Sequence, residues 1–138
     1  RFALDKSVAY VKEREVFGAP IGSHQGLAHP LAQSKIEIEL ARLMTQKAAA
    51  LYDNAAAGGS ADEMAAGEAA NMAKYAAAEA AIAAVDAAIQ AHGGNGLASE
   101  YGLIPYWGLA RLLRIAPVNR EMILNYVAQH SLGLPRSY

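Results

Sequence analysis

An all-α fold, an antiparallel up-and-down bundle of four long helices plus a short one, is what this sequence predicts. Three observations carry that expectation. Apolar residues recur at spacings of three and four through most of the chain. Glycine and proline breaks fall only between such stretches, and alternating strand-like runs are nearly absent.

Taken in order, Phe2, Val8 and Val11 lie near one face of a first helix with a natural stop at Gly18-Ala19-Pro20. A second helix starts near Ser23 and runs to about Ala57, with Leu27, Leu31, Ile36, Leu40, Leu43 and Leu51 on its apolar face. Gly58-Gly59 ends it, and Ser60 or Asp62 can cap the next. The third helix, about Asp62 to Ala91, is rich in alanine, whose high helix propensity and small side chain suit close helix approach. Met72, Tyr75, Ile82, Val85 and Ile89 mark its larger apolar positions. Gly93-Gly94-Asn95-Gly96 breaks the pattern. A shorter helix follows from Tyr101 to Ile115, with Leu109, Leu112 and Leu113 among its apolar residues. Pro117 suits the first turn of a last helix, Val118 to about His130, with Met122, Tyr126 and Val127 inward.

Composition bounds the functions open to such a bundle. The 138 residues form one domain, residues 1–138, able to bury roughly two-thirds of its unfolded surface. With 54% hydrophobic and 18% charged residues it is globular, and a net charge of -1 offers no attraction to nucleic acid or an anionic membrane. The absence of cysteine excludes disulfides, thiol nucleophiles and cysteine-ligated metals, and fits a cytoplasmic setting. No span-length uncharged apolar run is present; Glu79 and Asp86 interrupt the best candidate. The chain begins at Arg1, already in a helical pattern, and reads as the C-terminal fragment of a longer, three-domain protein.

Two segments carry chemistry: Glu13-Arg14-Glu15-Val16-Phe17-Gly18-Ala19-Pro20-Ile21-Gly22-Ser23-His24-Gln25, and Gln90-Ala91-His92-Gly93-Gly94-Asn95-Gly96. Each sets a charged or amide side chain beside a glycine turn at a helix end, a pairing able to hold a large anionic ligand such as a dinucleotide. The Arg14 guanidinium is always charged and can meet a diphosphate with two parallel hydrogen bonds; its plain alternative is a solvated arginine paired with a carboxylate. Gly93 and Gly94 let backbone N–H groups approach an anion, though glycines after a helix also serve as its C-terminal cap. Gln90, one turn earlier, would face the same phosphate or ribose. Gln25 could hydrogen-bond an adenine edge with its amide; otherwise it is a helix-surface residue. Phe17 is a candidate either for ligand packing or for closing the helix end as a core aromatic. His24, His29, His92 and His130 lack metal-ligand spacing and read as surface or cap residues.

These segments resemble the C-terminal helical domain of the acyl-CoA dehydrogenase family, whose pattern is Glu-Arg-x-x-Phe-Gly-x-x-Ile-x-x-x-Gln, a long helix pair, then Gln-x-x-Gly-Gly-x-Gly. Both match in order, joined by the alanine-rich helix with Met72-Ala73-Lys74. The resemblance implies FAD-dependent removal of two hydrogens across the α and β carbons of an acyl-CoA. It also implies electron-transferring flavoprotein as acceptor and a homotetramer built as a dimer of dimers. Arg14 would lie on the FAD pyrophosphate of a neighbouring subunit and Phe17 against its adenosine half.

One departure stands out. Many family members carry the catalytic glutamate in Tyr-Glu-Gly-Thr before the last helix; here the stretch is Ala116-Pro117-Val118-Asn119, and Pro117 cannot accept a proton. Glu121 reads as a helix-dipole partner, and neither Asp5 nor Glu13 matches a family catalytic position. The catalytic residue is therefore unassigned. Either the base lies upstream of Arg1, as in isovaleryl-CoA dehydrogenase, which is the preferred reading, or the subunit is non-catalytic and works in a heteromer. An oxidase passing electrons to oxygen is a third reading.

Overall fold

The computed structural model describes residues 1–59 and 62–136. Five α-helices account for most of them: α1 (Phe2–Glu13), α2 (Gln25–Ala56), α3 (Glu63–His92), α4 (Ile104–Leu113) and α5 (Arg120–Tyr126). The all-α fold class expected from the periodicity is the one observed. Helix length is concentrated in α2 and α3, of 32 and 30 residues.

The first helix stops earlier than Gly18-Ala19-Pro20. Arg14 is already extended, and the next residues form a small antiparallel ribbon, β1 (Glu15–Val16) and β2 (Ala19–Pro20), with Glu15 opposite Pro20 and Val16 opposite Ala19. Its two-residue loop is Phe17-Gly18, both at positive φ, 57° and 78°. That is the turn geometry whose twist matches paired strands. The Ile21 amide donates to the Arg14 carbonyl at 2.8 Å and ties the ribbon's base to the end of α1. At Gly22 an added Cβ would stand 3.0 Å from both Val11 Cγ2 and the Val11 carbonyl oxygen, so that position needs to be small.

The chain divides into two compact units, with α2 and α3 contributing to both. The first comprises residues 1–38 and 80–112. Its core has two clusters: Ala3, Val85, Ala88, Leu103 and Ala110, and then Leu4, Val11, Ile21, Leu31 and Ala91. The second comprises residues 39–79 and the chain from Leu113 onward, and there Ala48, Ala69 and Ala73 pack with Met44 and Leu51.

On the two long helices most of the inward positions are small residues. On α2 the buried stripe is Leu31, Ser34, Ala41 and Ala48, while Ile36, Leu40 and Leu43, expected in the core, are 57–61% exposed. The leucines do share a face, but alanine and serine at heptad spacing let the backbones approach, and that face wins. Of the larger α3 residues only Val85 is buried; Met72, Tyr75, Ile82 and Ile89 are half-buried. Phe2, Leu109, Leu112, Leu113 and Met122 are likewise exposed, and Leu103, Ala110 and Ile123 fill the corresponding interior.

Helix ends follow local chemistry. Gly58 stops α2 at φ 73°. The Asp62 carboxylate accepts from the Ala65 amide at 2.6 Å and caps α3; Ser60 lies outside the described residues. Helix α4 starts at Ile104, because Ser99–Tyr101 forms its own 3-10 turn closed by Gly102 at φ 62°. Pro117 precedes the last helix and is not in its first turn. Asn119 is the cap, its side chain accepting from the Met122 amide at 2.8 Å. Helix α5 is short and widens into a π turn over Val127–Ser131.

Within the second unit the segment carrying Pro117 is bracketed. Glu79 Oε1 meets Arg114 Nε at 2.8 Å and Arg120 Nε at 3.3 Å, as ion pairs without aligned hydrogen bonds, and the Arg120 amide donates to the Arg114 carbonyl at 3.1 Å. Arg120 also donates to the Tyr75 hydroxyl at 3.4 Å. That hydroxyl first, and then the attraction of Tyr75 and Glu79, hold the guanidinium above its ordinary range.

Candidate functional site

The two sequence segments meet in the first unit. Arg14 leaves the C-terminal end of α1, and Gln90, His92, Gly93 and Gly94 come from the end of α3 and the 3-10 turn after it. Together with Tyr10, Val16, Ile21, Leu27, Ala91 and Asn95 they line one concave cavity of about 350 Å³. Two larger cavities, of about 680 and 830 Å³, have walls built mainly of alanine and aliphatic side chains, and neither brings a guanidinium to a backbone bend.

Four of the six residues proposed from sequence therefore share a surface: Arg14, Gln90, Gly93 and Gly94. Among the described residues no carboxylate pairs with the Arg14 guanidinium, which is exposed to solvent. Gly93 at φ 58° is the left-handed residue that turns the chain out of α3, a capping role that suits glycine. At Gly94 an added Cβ would meet nothing within 4 Å, so the backbone there lies open to a ligand. Gly96 is different: an added Cβ would collide with the Ile89 carbonyl oxygen and stand 2.9 Å from Ile89 Cα. Its lack of a side chain lets the bend fold back onto α3.

Phe17 and Gln25 do not line this cavity. Phe17 sits at the tip of the ribbon, 95% exposed, so it is not a core aromatic closing the helix end. A phenylalanine at positive φ costs roughly 1–2 kcal/mol, and it gains nothing from burial within this chain. Gln25 is the first residue of α2 and is exposed.

Sequence reasoning missed the aromatic wall. His92, expected at the surface or in a cap, is at the end of α3 but only 4% exposed. Its ring stacks on Tyr10, centroids 4.1 Å apart, and meets Tyr101 edge-on at 5.5 Å. The Asn95 amide donates to both tyrosine hydroxyls, at 3.0 and 3.1 Å. His92 Nδ1 lies 2.8 Å from the Ala88 carbonyl, whereas His92 Nε2 is buried without a partner. One signal was available: Tyr10 lies in the last turn of α1, just before Arg14 leaves that helix.

The arrangement brings a guanidinium, an open glycine backbone and an amide to one concave surface, a donor set of the kind that can meet an anion. Among the described residues no group of three histidines or carboxylates is placed to hold a metal, and no helix is long and apolar enough to cross a membrane. Glu121 is exposed in the first turn of α5, and Asp5 pairs with Arg1 at 3.4 Å on the surface.

Comparison with known proteins defines the class to which this fold belongs. The model of the acyl-CoA dehydrogenase C-terminal domain matches residues 1–132, and the chain belongs to that family. It is 64% identical to the acyl-CoA dehydrogenase FadE12 of Mycobacterium tuberculosis, over 100% of this chain and 34% of that protein. Among solved structures, glutaryl-coenzyme A dehydrogenase with glutaryl-CoA is similar at TM-score 0.85 and 31% identity, covering 98% of this chain and 32% of that one. The FAD complex of PigA matches at TM-score 0.85 and 27% identity, over 96% and 32%. The chain thus spans about a third of the length of the relatives it matches.

Proposed function

We propose that this chain is the C-terminal domain of an FAD-dependent acyl-CoA dehydrogenase and that its cavity binds the flavin's diphosphate. The convergence of Arg14 with the Gly93-Gly94 bend is the observation that carries this reading. The names of its relatives support it: one is called an acyl-CoA dehydrogenase, one is a complex with FAD, and one is a complex with an acyl-CoA.

Arg14 neutralises the diphosphate, Gly94 offers its backbone, and Gln90 adds an amide contact. A cavity of about 350 Å³ is at the small end for ligand sites, so it takes only the middle of a dinucleotide. The outward Phe17 and Gln25 then act on a flavin held by a neighbouring subunit, Phe17 against the adenosine half and Gln25 at the adenine edge. FAD, when bound, supplies the acceptor for the hydride leaving the β carbon. The base that takes the α proton lies in the chain upstream of Arg1, since Pro117 occupies the common glutamate position.

The full-length protein on this reading is a cytoplasmic homotetramer that passes electrons to electron-transferring flavoprotein, and the isolated domain is inactive. Purified full-length protein is expected to be yellow, with a flavin spectrum that bleaches on adding an acyl-CoA under anaerobic conditions. A colourless protein that cannot be reconstituted with FAD overturns the proposal. Pro117 favours one second reading, a non-catalytic subunit of a heteromer. Activity appearing only when a related subunit is mixed in would select it.

A further inference from the structure

We infer that Tyr10 is a positioning residue of the cavity: it holds the Gly93-Gly94 bend in register with Arg14, so that both reach the same diphosphate. The inference rests on reading the cavity as a flavin site and deepens that reading. What the bend lacks is a packing partner of its own. Gly93 and Gly94 are exposed, and an added Cβ at either would meet nothing within 4 Å. The residues on either side of the two glycines hold the bend instead.

Those flanking residues, His92 and Asn95, grip the same tyrosine. The His92 ring stacks on the Tyr10 ring with centroids 4.1 Å apart, and the Asn95 amide bonds the Tyr10 hydroxyl at 3.0 Å. One contact takes the face of the ring and the other its far end. On the backbone side, the Tyr10 carbonyl accepts from the Arg14 amide at 2.9 Å, the bond that closes the last turn of α1. A single residue therefore joins the bend, through its side chain, to the stretch of backbone from which the guanidinium extends. Tyr10 lines the same cavity as Arg14, Gly93 and Gly94.

Donors already set at the spacing of their ligand bind it without the cost of ordering them first. Arg14 and the bend come from segments about eighty residues apart, so that spacing is set by whatever ties the two together. Tyr101 supplies an internal contrast. It takes the second hydrogen bond of the same Asn95 amide, at 3.1 Å, yet it belongs to the 3-10 turn Ser99–Tyr101 and not to the helix end that carries Arg14. Losing the Tyr101 hydroxyl leaves the tie between the bend and α1 in place. Losing the Tyr10 hydroxyl cuts it.

The test uses full-length protein stripped of flavin, at a temperature where circular dichroism shows every variant folded. FAD is titrated by quenching of flavin fluorescence and inorganic pyrophosphate by competition. Tyr10→Phe keeps the ring on His92 and removes the hydroxyl; Tyr101→Phe removes the other hydrogen bond of the same amide. Affinity for both probes is expected to fall about three- to tenfold in Tyr10→Phe and to stay within about twofold of wild type in Tyr101→Phe. Asn95→Ala cuts the tie from the side of the bend and should lose at least as much as Tyr10→Phe. The double variant Tyr10→Phe/Asn95→Ala should then bind no more weakly than Asn95→Ala alone, because the hydroxyl acts only through the amide. Additive losses in the double variant would place the hydroxyl on the ligand itself and overturn the inference. Unchanged affinity in Tyr10→Phe overturns it too, as does an equal loss in Tyr101→Phe. Wild-type protein that binds neither probe instead overturns the flavin reading itself, so the two failures are distinct.

Discussion

Gly94 and Gly96 are two residues apart in one bend, yet alanine should act on them in opposite ways. At Gly96 the new Cβ would overlap the Ile89 carbonyl oxygen and stand 2.9 and 3.0 Å from Ile89 Cα and C. All three are backbone atoms of α3, so neither a rotamer change nor a flexible tip can relieve the overlap. Forced displacement of packed backbone costs roughly 1–3 kcal/mol. Replacing glycine also narrows the unfolded ensemble, which returns about 0.4–1 kcal/mol. The net expectation for Gly96→Ala is a loss of about 1–2 kcal/mol, or a melting temperature lower by roughly 3–8 °C for a chain of this size. At Gly94 nothing lies within 4 Å and φ is not in the left-handed region, so only the entropic gain remains. Gly94→Ala should melt at or slightly above wild type, while its methyl group, placed in the cavity, weakens FAD binding about tenfold. Thermal and urea unfolding of both variants, with flavin titration of each, checks the pair. A Gly96→Ala protein as stable as wild type would refute the close-approach argument, and a Gly94→Ala protein with unchanged FAD affinity would refute the open-backbone one.

Arg14→Gln removes the guanidinium from the diphosphate and should weaken FAD by one to two orders of magnitude, about 1.5–3 kcal/mol; retained flavin after dialysis reads this directly. Phe17→Asn relieves the positive φ and should raise stability by about 1 kcal/mol in urea unfolding, while lowering FAD affinity of the assembled protein; a less stable variant would contradict the turn assignment. Asn119→Ala deletes the cap of α5 and should cost about 1 kcal/mol, leaving FAD affinity unchanged, as separate melting and titration measurements would show.

The helical class and the glycine breaks were legible in the sequence because each is a local signal, whereas the pairing of Arg14 with Gly93-Gly94, distant in sequence, was legible through the family pattern that both segments resemble. Periodicity follows from helix geometry, and a guanidinium beside a glycine bend has few other uses when unpaired. Burial was less legible. Ile36, Leu40 and Leu43 are the most hydrophobic residues at helical spacing on α2, yet Ser34, Ala41 and Ala48 face inward. Which of two stripes turns inward depends on how closely the partner backbone comes, and spacing alone does not encode that distance. The Phe17-Gly18 ribbon was hidden because phenylalanine is an unusual first residue for such a turn. His92 was discounted for lacking a second histidine nearby, when its partners are aromatic rings contributed by residues 10 and 101.

The ribbon has a kinetic consequence. Phe17 is carried on a two-residue loop whose base is tied to α1 by the amide of Ile21, so its bearing is set by paired backbone before any other surface arrives. In the subunit assembly proposed above, a ring held in this way would give up little freedom on being covered. Encounter would then require no rearrangement of this element, and its contribution should appear in how long the assembly lasts more than in how fast it forms.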